Sequence, residues 1–366
     1  MSGRRRVVHV FATFGRGGPQ VRAVQLIRRL DDCEHVVVAM DGDTACAALV
    51  PEPLVRERRV VLAGPPASRG FLSTRRRQRA WLAAERPDLV LTYNWGAIET
   101  VAAARSLGLP LVHHEDGFGP DEAHRRLRRR SWLRRWLLRD TPVVVPSRVL
   151  EAIARREWGL RAGCVHHLVN GVDLARFAPG AVRPAGTAPV LGTVGGLRAE
   201  KDHHTLLGAL ARLRTPARVE LVGGGSLERA LRAEAARLGV ADRVTFAGPT
   251  DDTALAYRRF DLFVLSSRTE QMPIAMLEAM ATGLPVVATD VGDVRAMLPP
   301  EAADCVVPAE DPAELAAALD RLLAEPERRA RLGAANRRVC EARYDAEACL
   351  GRFVALYRRT MAGAVP

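Results

Sequence analysis

The sequence predicts an α/β protein built from two parallel-sheet domains of similar size, facing each other across a ligand cleft. Three observations lead there. Short β-branched runs alternate with segments of helical spacing, the pattern of a parallel sheet with helices on both faces. The alternation pauses at "APGAVRPAGTAP" (178–189), rich in Pro, Gly and Ala, and then restarts. The 366 residues suffice for two domains, each with its own core.

In the first half, "VVHVFAT" (7–13), "HVVVAM" (35–40), "DLVLTYN" (88–94), "PLVHHED" (110–116) and "PVVVPS" (142–147) read as buried strands. In the second, "PVLGTVGG" (189–196), "RVELVGGG" (218–225), "RVTFAG" (243–248), "LFVLSS" (262–267), "PVVATD" (285–290) and "DCVVP" (304–308) repeat the pattern. The expected boundaries are 1–180 for the N-terminal domain and 181–345 for the C-terminal one. A helix over 346–366 is expected to pack back towards the first domain.

Composition narrows the function. The chain is 48% hydrophobic and 26% charged, as soluble globular domains are. No apolar run approaches the length that spans a bilayer, and the basic N-terminus leads into a strand rather than a signal peptide. Six scattered cysteines without a CxxC pair argue against a zinc cluster or a disulfide framework, and fit reduced cytoplasm. The net charge of +12 predicts anionic partners: phosphates of a small substrate, an anionic membrane surface, or nucleic acid. Only 5% of residues are aromatic and no base-stacking motif stands out, so a nucleic-acid partner is not expected.

Of the 54 basic residues, one is lysine: Lys201, in "GGLRAEKDHH". An ammonium is a point charge where a guanidinium is a flat fork. A single lysine in an arginine-rich chain is either a chance survivor of G- and C-rich codon usage on a helix surface or a place where the compact charge is wanted, and its neighbours decide. It stands on a glycine-containing loop between a strand and a helix, as do "TFGRGGPQ" and "LVGGGSLE". Such loops let backbone N–H groups approach phosphate, although glycine after a strand is also ordinary turn chemistry.

"SSRTEQMPIAMLEAMATGLPVVATDVG" (266–292) carries a carboxylate pair, Glu270 and Glu278. Glu278 lies within "AMLEAMA", among apolar neighbours, where a carboxylate must find donors or a ligand. This segment resembles family 4 of the retaining, nucleotide-sugar-dependent glycosyltransferases, which have the GT-B fold of two Rossmann-like domains. The matching features are glutamate, seven residues, glutamate, then Ala-Met-Ala and Gly-Leu-Pro-Val. "VELVGGGSLERALRAEAARLGVADRVTFAGPTDD" and "LVNGVDLARFAP" also look like that family. The resemblance is strong over 165–345 and weaker but continuous over 1–164.

The resemblance implies a sugar transferred from a nucleoside-diphosphate sugar to an acceptor hydroxyl, with retention of configuration. The donor would be a co-substrate, with no cofactor and no metal. Glu278 would hold the ribose hydroxyls, Glu270 the donor sugar, and Lys201 the diphosphate. Gly17, Gly18, Gly196, Gln271, Met272 and Ile274 complete the expected donor-binding set. Two positions depart from the family. Its usual arginine is Gly196 here, and Arg198 is expected to take over. Its glycine after the first glutamate is Gln271. A DxD triplet, Asp41–Asp43, follows a strand but has no place in this reading.

The N-terminal domain would serve the acceptor, which is a saccharide, a lipid-linked sugar or a small molecule. A histidine near the end of the "PLVHHED" strand contacts the reacting sugar in the family. His114 is expected in that role, then Asp116, with Asn94 lining the acceptor channel. "HRRLRRRSWLRRWLLRD" (124–140) is the densest basic stretch. With Arg128, Trp132, Arg135, Trp136 and Arg139 it looks like an interfacial helix on anionic lipid. The alternative is a solvated basic helix whose tryptophans pack on their own domain, and a third is recognition of an anionic acceptor. The expected location is cytoplasmic, peripheral at the inner face of the membrane. The rival enzyme readings are a nucleotide-sugar epimerase and a sugar phosphorylase.

Overall fold

The computed structural model describes residues 4–57, 59–64, 70–118, 122, 127–180 and 188–363. The chain forms two compact units. The first is Met1–Val169 together with Cys349–Pro366, and the second is Asn170–Ala348. The division falls at 169/170 rather than at 180. Residues 181–187, the middle of the expected linker, lie outside the described residues.

The first unit holds β1 (Arg6–Phe11), α1 (Gly18–Arg29), β2 (Glu34–Ala39), α2 (Glu52–Arg56), β3 (Val60–Ala63), α3 (Phe71–Glu85), β4 (Leu89–Tyr93), α4 (Ile98–Ser106), β5 (Leu111–His114), α5 (Arg128–Leu138), β6 (Val143–Val145), α6 (Arg148–Arg156) and β7 (Val165–His167). Its seven strands run in the order β3-β2-β1-β4-β5-β6-β7, all parallel. The central strands are covered on both faces, so β4 and β5 are buried at every position. Val8, Val10, Val90, Val101, Leu150 and Trp158 lie in this core.

The second unit holds β8 (Val190–Val194), α7 (His203–Leu210), β9 (Arg218–Val222), α8 (Glu228–Arg237), β10 (Val244–Gly248), α9 (Thr253–Tyr257), β11 (Leu262–Leu265), α10 (Ile274–Ala281), β12 (Val286–Thr289), α11 (Val294–Met297), β13 (Val306–Val307), α12 (Pro312–Ala324) and α13 (Pro326–Arg343). Its sheet is also parallel, in the order β10-β9-β8-β11-β12-β13. The last helix, α14 (Ala346–Met361), belongs to the first unit from Cys349 onward. There Phe353 and Tyr357 are fully buried.

Each strand order reverses once beside its first strand, between β1 and β4 in one unit and between β8 and β11 in the other. In open parallel sheets such a reversal leaves a crevice at the carboxyl ends of the strands, where ligands bind. No helix among the described residues is long and apolar enough to cross a membrane.

Candidate active site

In the second unit the loop after β8 runs Gly195–Arg198 and closes with a single tight turn, Ala199–Lys201, before α7. It is tied to the loop after β9. Gly195 N donates to Val222 O (2.9 Å), Leu197 N to Gly224 O (3.0 Å) and Leu227 N to Leu197 O (3.1 Å). This contact accounts for two of the three consecutive glycines. A Cβ on Gly223 would lie 1.9 Å from Gly195 O, and one on Gly225 2.4 Å from Leu197 O. Gly223 also has φ +142°, where a side chain is strained. The glycines therefore fix the course of the lysine loop.

Lys201 Nζ reaches Glu270 Oε1 at 2.6 Å, with both side chains mostly buried. Ser267 Oγ donates to the same oxygen at 2.8 Å. Ser266 Oγ donates to Lys201 O (3.0 Å), and Arg268 N to Glu200 O (2.9 Å). The chain leaving β11 is thus bound to the chain leaving β8, the two strands that flank the reversal. The lone lysine and the first glutamate meet where a sheet of this order binds ligands.

Beyond Glu270 the chain turns through Gln271, Met272 and Pro273 into α10. Gln271 and Ile274 are half-buried and Met272 is buried. Asn170 braces the turn, with its backbone N–H 3.3 Å from Met272 Sδ and its side-chain amide 3.3 Å from Met272 O. Glu278 is half-buried on α10, and Oε2 accepts from the Tyr257 hydroxyl at 2.8 Å. Burial pushes the Glu278 carboxyl up to about 7, against the opposing effects of the Tyr257 hydrogen bond and the Arg176 charge.

Arg198 is exposed and pairs with Glu200 at 3.2 Å. A Cβ on Gly196 would fall 2.8 Å from Arg198 Nε. The guanidinium arm therefore lies over Gly196, in the space that a side chain at 196 would enter.

In the first unit Gly17 is the residue before α1 and Gly18 is the first residue of the helix. Asn94 follows β4 with φ +58°, an uncommon backbone for a residue with a Cβ. Its N–H donates to His114 O (2.7 Å), and its Oδ1 accepts from Asp116 N (2.6 Å). Asp116 is gripped by Arg22 through two bonds of 2.6 and 2.8 Å, and both side chains are nearly buried. The expected role of His114 at a reacting sugar is not what this geometry offers. His114 is fully buried; Nε2 is 2.8 Å from the Tyr357 hydroxyl and Nδ1 is 3.3 Å from Thr92 O. Burial and the Arg22 charge hold it well below the usual imidazole range. His114 fastens α14 to the first sheet, and Asp116 and Asn94 remain as the polar groups past the strand ends.

Neighbouring His113 is buried too, bonded to Thr92 Oγ1 at 2.8 Å and close to Glu115, which pairs with the buried Arg134 (3.0 Å). Asp43 Oδ1 accepts from Ala45 N and Asp41 Oδ1 from Asp43 N, so this triplet shapes its own turn. Among the described residues, no three His, Cys, Asp or Glu side chains group as a metal site.

Residues 124–126 of the basic stretch lie outside the described residues. On α5 the buried side chains are Arg134, Leu137 and Leu138, while Trp132 and Trp136 are 64% and 56% exposed. Arg134 can face inward because Glu115 and Glu122 neutralise it (3.0 and 3.1 Å). Among the described residues, both tryptophans thus keep more than half of their surface open.

Sequence reasoning did not single out Ser267 or Tyr257. Ser267 stands three residues before Glu270 and carried a faint signal; Tyr257 is 21 residues from Glu278 and carried none.

Two family models match the chain. One, described as Glycosyltransferase Family 4, covers 16–176, and the other, Glycosyl transferases group 1, covers 188–325. D-inositol 3-phosphate glycosyltransferase 2 of Catenulispora acidiphila is 32% identical, over 89% of this chain and 86% of that protein. D-inositol 3-phosphate glycosyltransferase of Nocardiopsis dassonvillei is 34% identical over 68% of this chain and 65% of that enzyme. Among solved structures, sucrose-phosphate synthase from Thermosynechococcus elongatus superposes with a TM-score of 0.81 at 23% identity, covering 98% of this chain and 100% of that one. Anabaena HepE in complex with UDP-glucose gives 0.79 at 19% identity, covering 96% and 98%. With two parallel-sheet units, a Lys201–Glu270 pair at a strand reversal and these matches, the chain belongs to the family 4 glycosyltransferases and has the GT-B fold.

Proposed function

We propose that this glycosyltransferase uses a nucleoside-diphosphate sugar and transfers the sugar to an acceptor hydroxyl with retention of configuration and without a metal ion. The observation that carries the reading is the meeting of Lys201 and Glu270 at 2.6 Å, past the two strands that flank the sheet reversal. As the sugar–phosphate bond breaks, negative charge grows on the diphosphate. Lys201 and Arg198 answer that charge in the place of a metal. Arg198 lies over Gly196, which supports its standing in for the family arginine. Glu270 exchanges Lys201 for hydroxyls of the sugar, and Glu278 receives the ribose. Gln271, Met272 and Ile274 wall the donor pocket; of the first unit's own residues, Gly17 and Gly18 are the candidates for the donor and Asn94 and Asp116 for the acceptor.

The acceptor is a saccharide, a lipid-linked sugar or a small polyol. D-inositol 3-phosphate, in the names of the relatives, is the first compound to try. The exposed Trp132 and Trp136, flanked by exposed Arg128, Arg135 and Arg139, favour a further reading. The enzyme works in the cytoplasm and touches an anionic membrane surface through α5.

The test is a thermal-shift panel of UDP, GDP, ADP and their sugars, run with and without EDTA. A ligand at 100 times its dissociation constant stabilises by about 2.7 kcal/mol. Stabilisation by one nucleotide family, and transfer that survives EDTA, is the expected result. A panel without any stabilising nucleotide, or activity restored only by a divalent metal, refutes it.

A further inference from the structure

Glu278 stands among the apolar residues of α10, with one donor among the described residues. Among the described residues nothing donates to Oε1, while Oε2 accepts from Tyr257 at 2.8 Å. Tyr257 itself is fully buried at the end of α9, ringed by Phe177, Phe260 and Phe263. Its hydroxyl is also 2.9 Å from Ala275 O, so one proton faces two acceptors. An ionised carboxylate outcompetes a carbonyl for that proton, because a charge-assisted bond is the stronger. A neutral carboxyl leaves the proton to Ala275 O.

We propose that Tyr257 is a positioning residue for nucleotide binding: its buried hydroxyl, bonded to Oε2, favours the carboxylate form of Glu278 and leaves Oε1 to accept from ligand hydroxyls. This rests on the reading of Glu278 as the ribose ligand. The charge state matters because a diol donates to a carboxylate and finds a poorer acceptor in a neutral acid. The other groups around Glu278 contribute less. Arg176 acts through its positive charge alone. Arg337, from α13, is engaged by the carbonyls of Leu174, Phe177 and Ala281 and by Glu341, and Cys340 points to Leu277 O.

The bond can be read without any ligand. Burial raises Glu278 from 4.5 to about 7, so the folded chain holds a proton that the unfolded chain has lost. Stability from this group therefore falls as pH rises from about 4.5 to about 7, then levels off. Without the Tyr257 donor the fall must continue to higher pH. The experiment compares melting temperatures of the full chain, Tyr257→Phe, Glu278→Gln and the double variant, from about pH 5 to about pH 9. The gap between wild type and Tyr257→Phe is expected to widen with pH and to become flat in the Glu278→Gln background. A merely structural hydroxyl gives a gap independent of pH in both backgrounds, which overturns the proposal.

In parallel, UDP and GDP are titrated across the same range. Tyr257→Phe should move the acid-side midpoint of binding upward by about one pH unit, roughly tenfold weaker affinity below it. An unmoved midpoint overturns the proposal as well. If neither these nucleotides nor ADP binds wild type, the donor-site reading fails while the melting series still decides the coupling. If Tyr257→Phe does not fold, 3-fluorotyrosine replaces it. Its hydroxyl is the stronger donor and should move the gap and the midpoint downward; no movement refutes the role.

Discussion

Replacing Gly223 by alanine should distort the lysine loop and cost nucleotide binding together with stability. The added Cβ would lie 1.9 Å from Gly195 O. A carbon and a carbonyl oxygen rest comfortably at about 3.3 Å. One strand end must therefore retreat by roughly 1.4 Å, and overpacking of this kind costs about 1–3 kcal/mol. The backbone at φ +142° adds a further penalty of about 1–2 kcal/mol for a residue with a Cβ. The sum, about 2–5 kcal/mol, corresponds to a fall of roughly 4–20 °C in the melting temperature of a unit this size. Gly224→Ala is the control, because its Cβ would meet the Pro249 ring at 3.6 and 3.9 Å, ordinary contacts. Calorimetry on both variants, followed by UDP and GDP titration, is the assay. If Gly223→Ala melts and binds like Gly224→Ala, the loop contact does not govern the site.

Three further outcomes are expected. Lys201→Ala should lower turnover by about 100-fold or more while the protein stays folded, because one preorganised cation at the leaving group is lost; wild-type turnover in that variant removes Lys201 from the reaction. Nucleoside-diphosphate affinity should fall as pH drops through about 7, where Glu278 takes up a proton, to roughly a tenth one unit below. Glu278→Gln should bind weakly at every pH, and titrations showing an unchanged pH profile in that variant assign the dependence elsewhere. Co-sedimentation with anionic vesicles should be strong at low salt, fade as salt rises and drop in Trp132→Ala/Trp136→Ala; retention in the supernatant at low salt makes α5 ordinary surface.

The parallel sheets were legible because their central strands are near-continuous apolar runs. The two strands that escaped notice, β3 and β7, are short and lie at the edges of the first sheet, and Val61 and Leu62 of β3 are exposed. Lys201, Glu270 and Glu278 stood out by composition and spacing, and the first two do meet. His114 misled for a physical reason. On a strand with one wet face, His113 and His114 would point in opposite senses and one would be open. β5 is covered on both faces, so both are buried. The inward face of α5 was hidden because it centres on an arginine, and only the fold shows that Glu115 and Glu122 wait for it.

The order of synthesis gives α14 a further consequence. The first sheet is complete in sequence at His167, but its buried partner Tyr357 arrives about 190 residues later, after the whole of the second unit. At roughly 5–20 residues per second, the ribosome needs on the order of 10–40 s to deliver it. Throughout that interval the first unit exists with His114, Tyr93 and the seat of Phe353 uncovered, while the second unit has everything it needs to fold. Of the two units, the first in sequence is therefore completed after the second, and its nascent form is the one that exposes an apolar, aromatic face to chaperones.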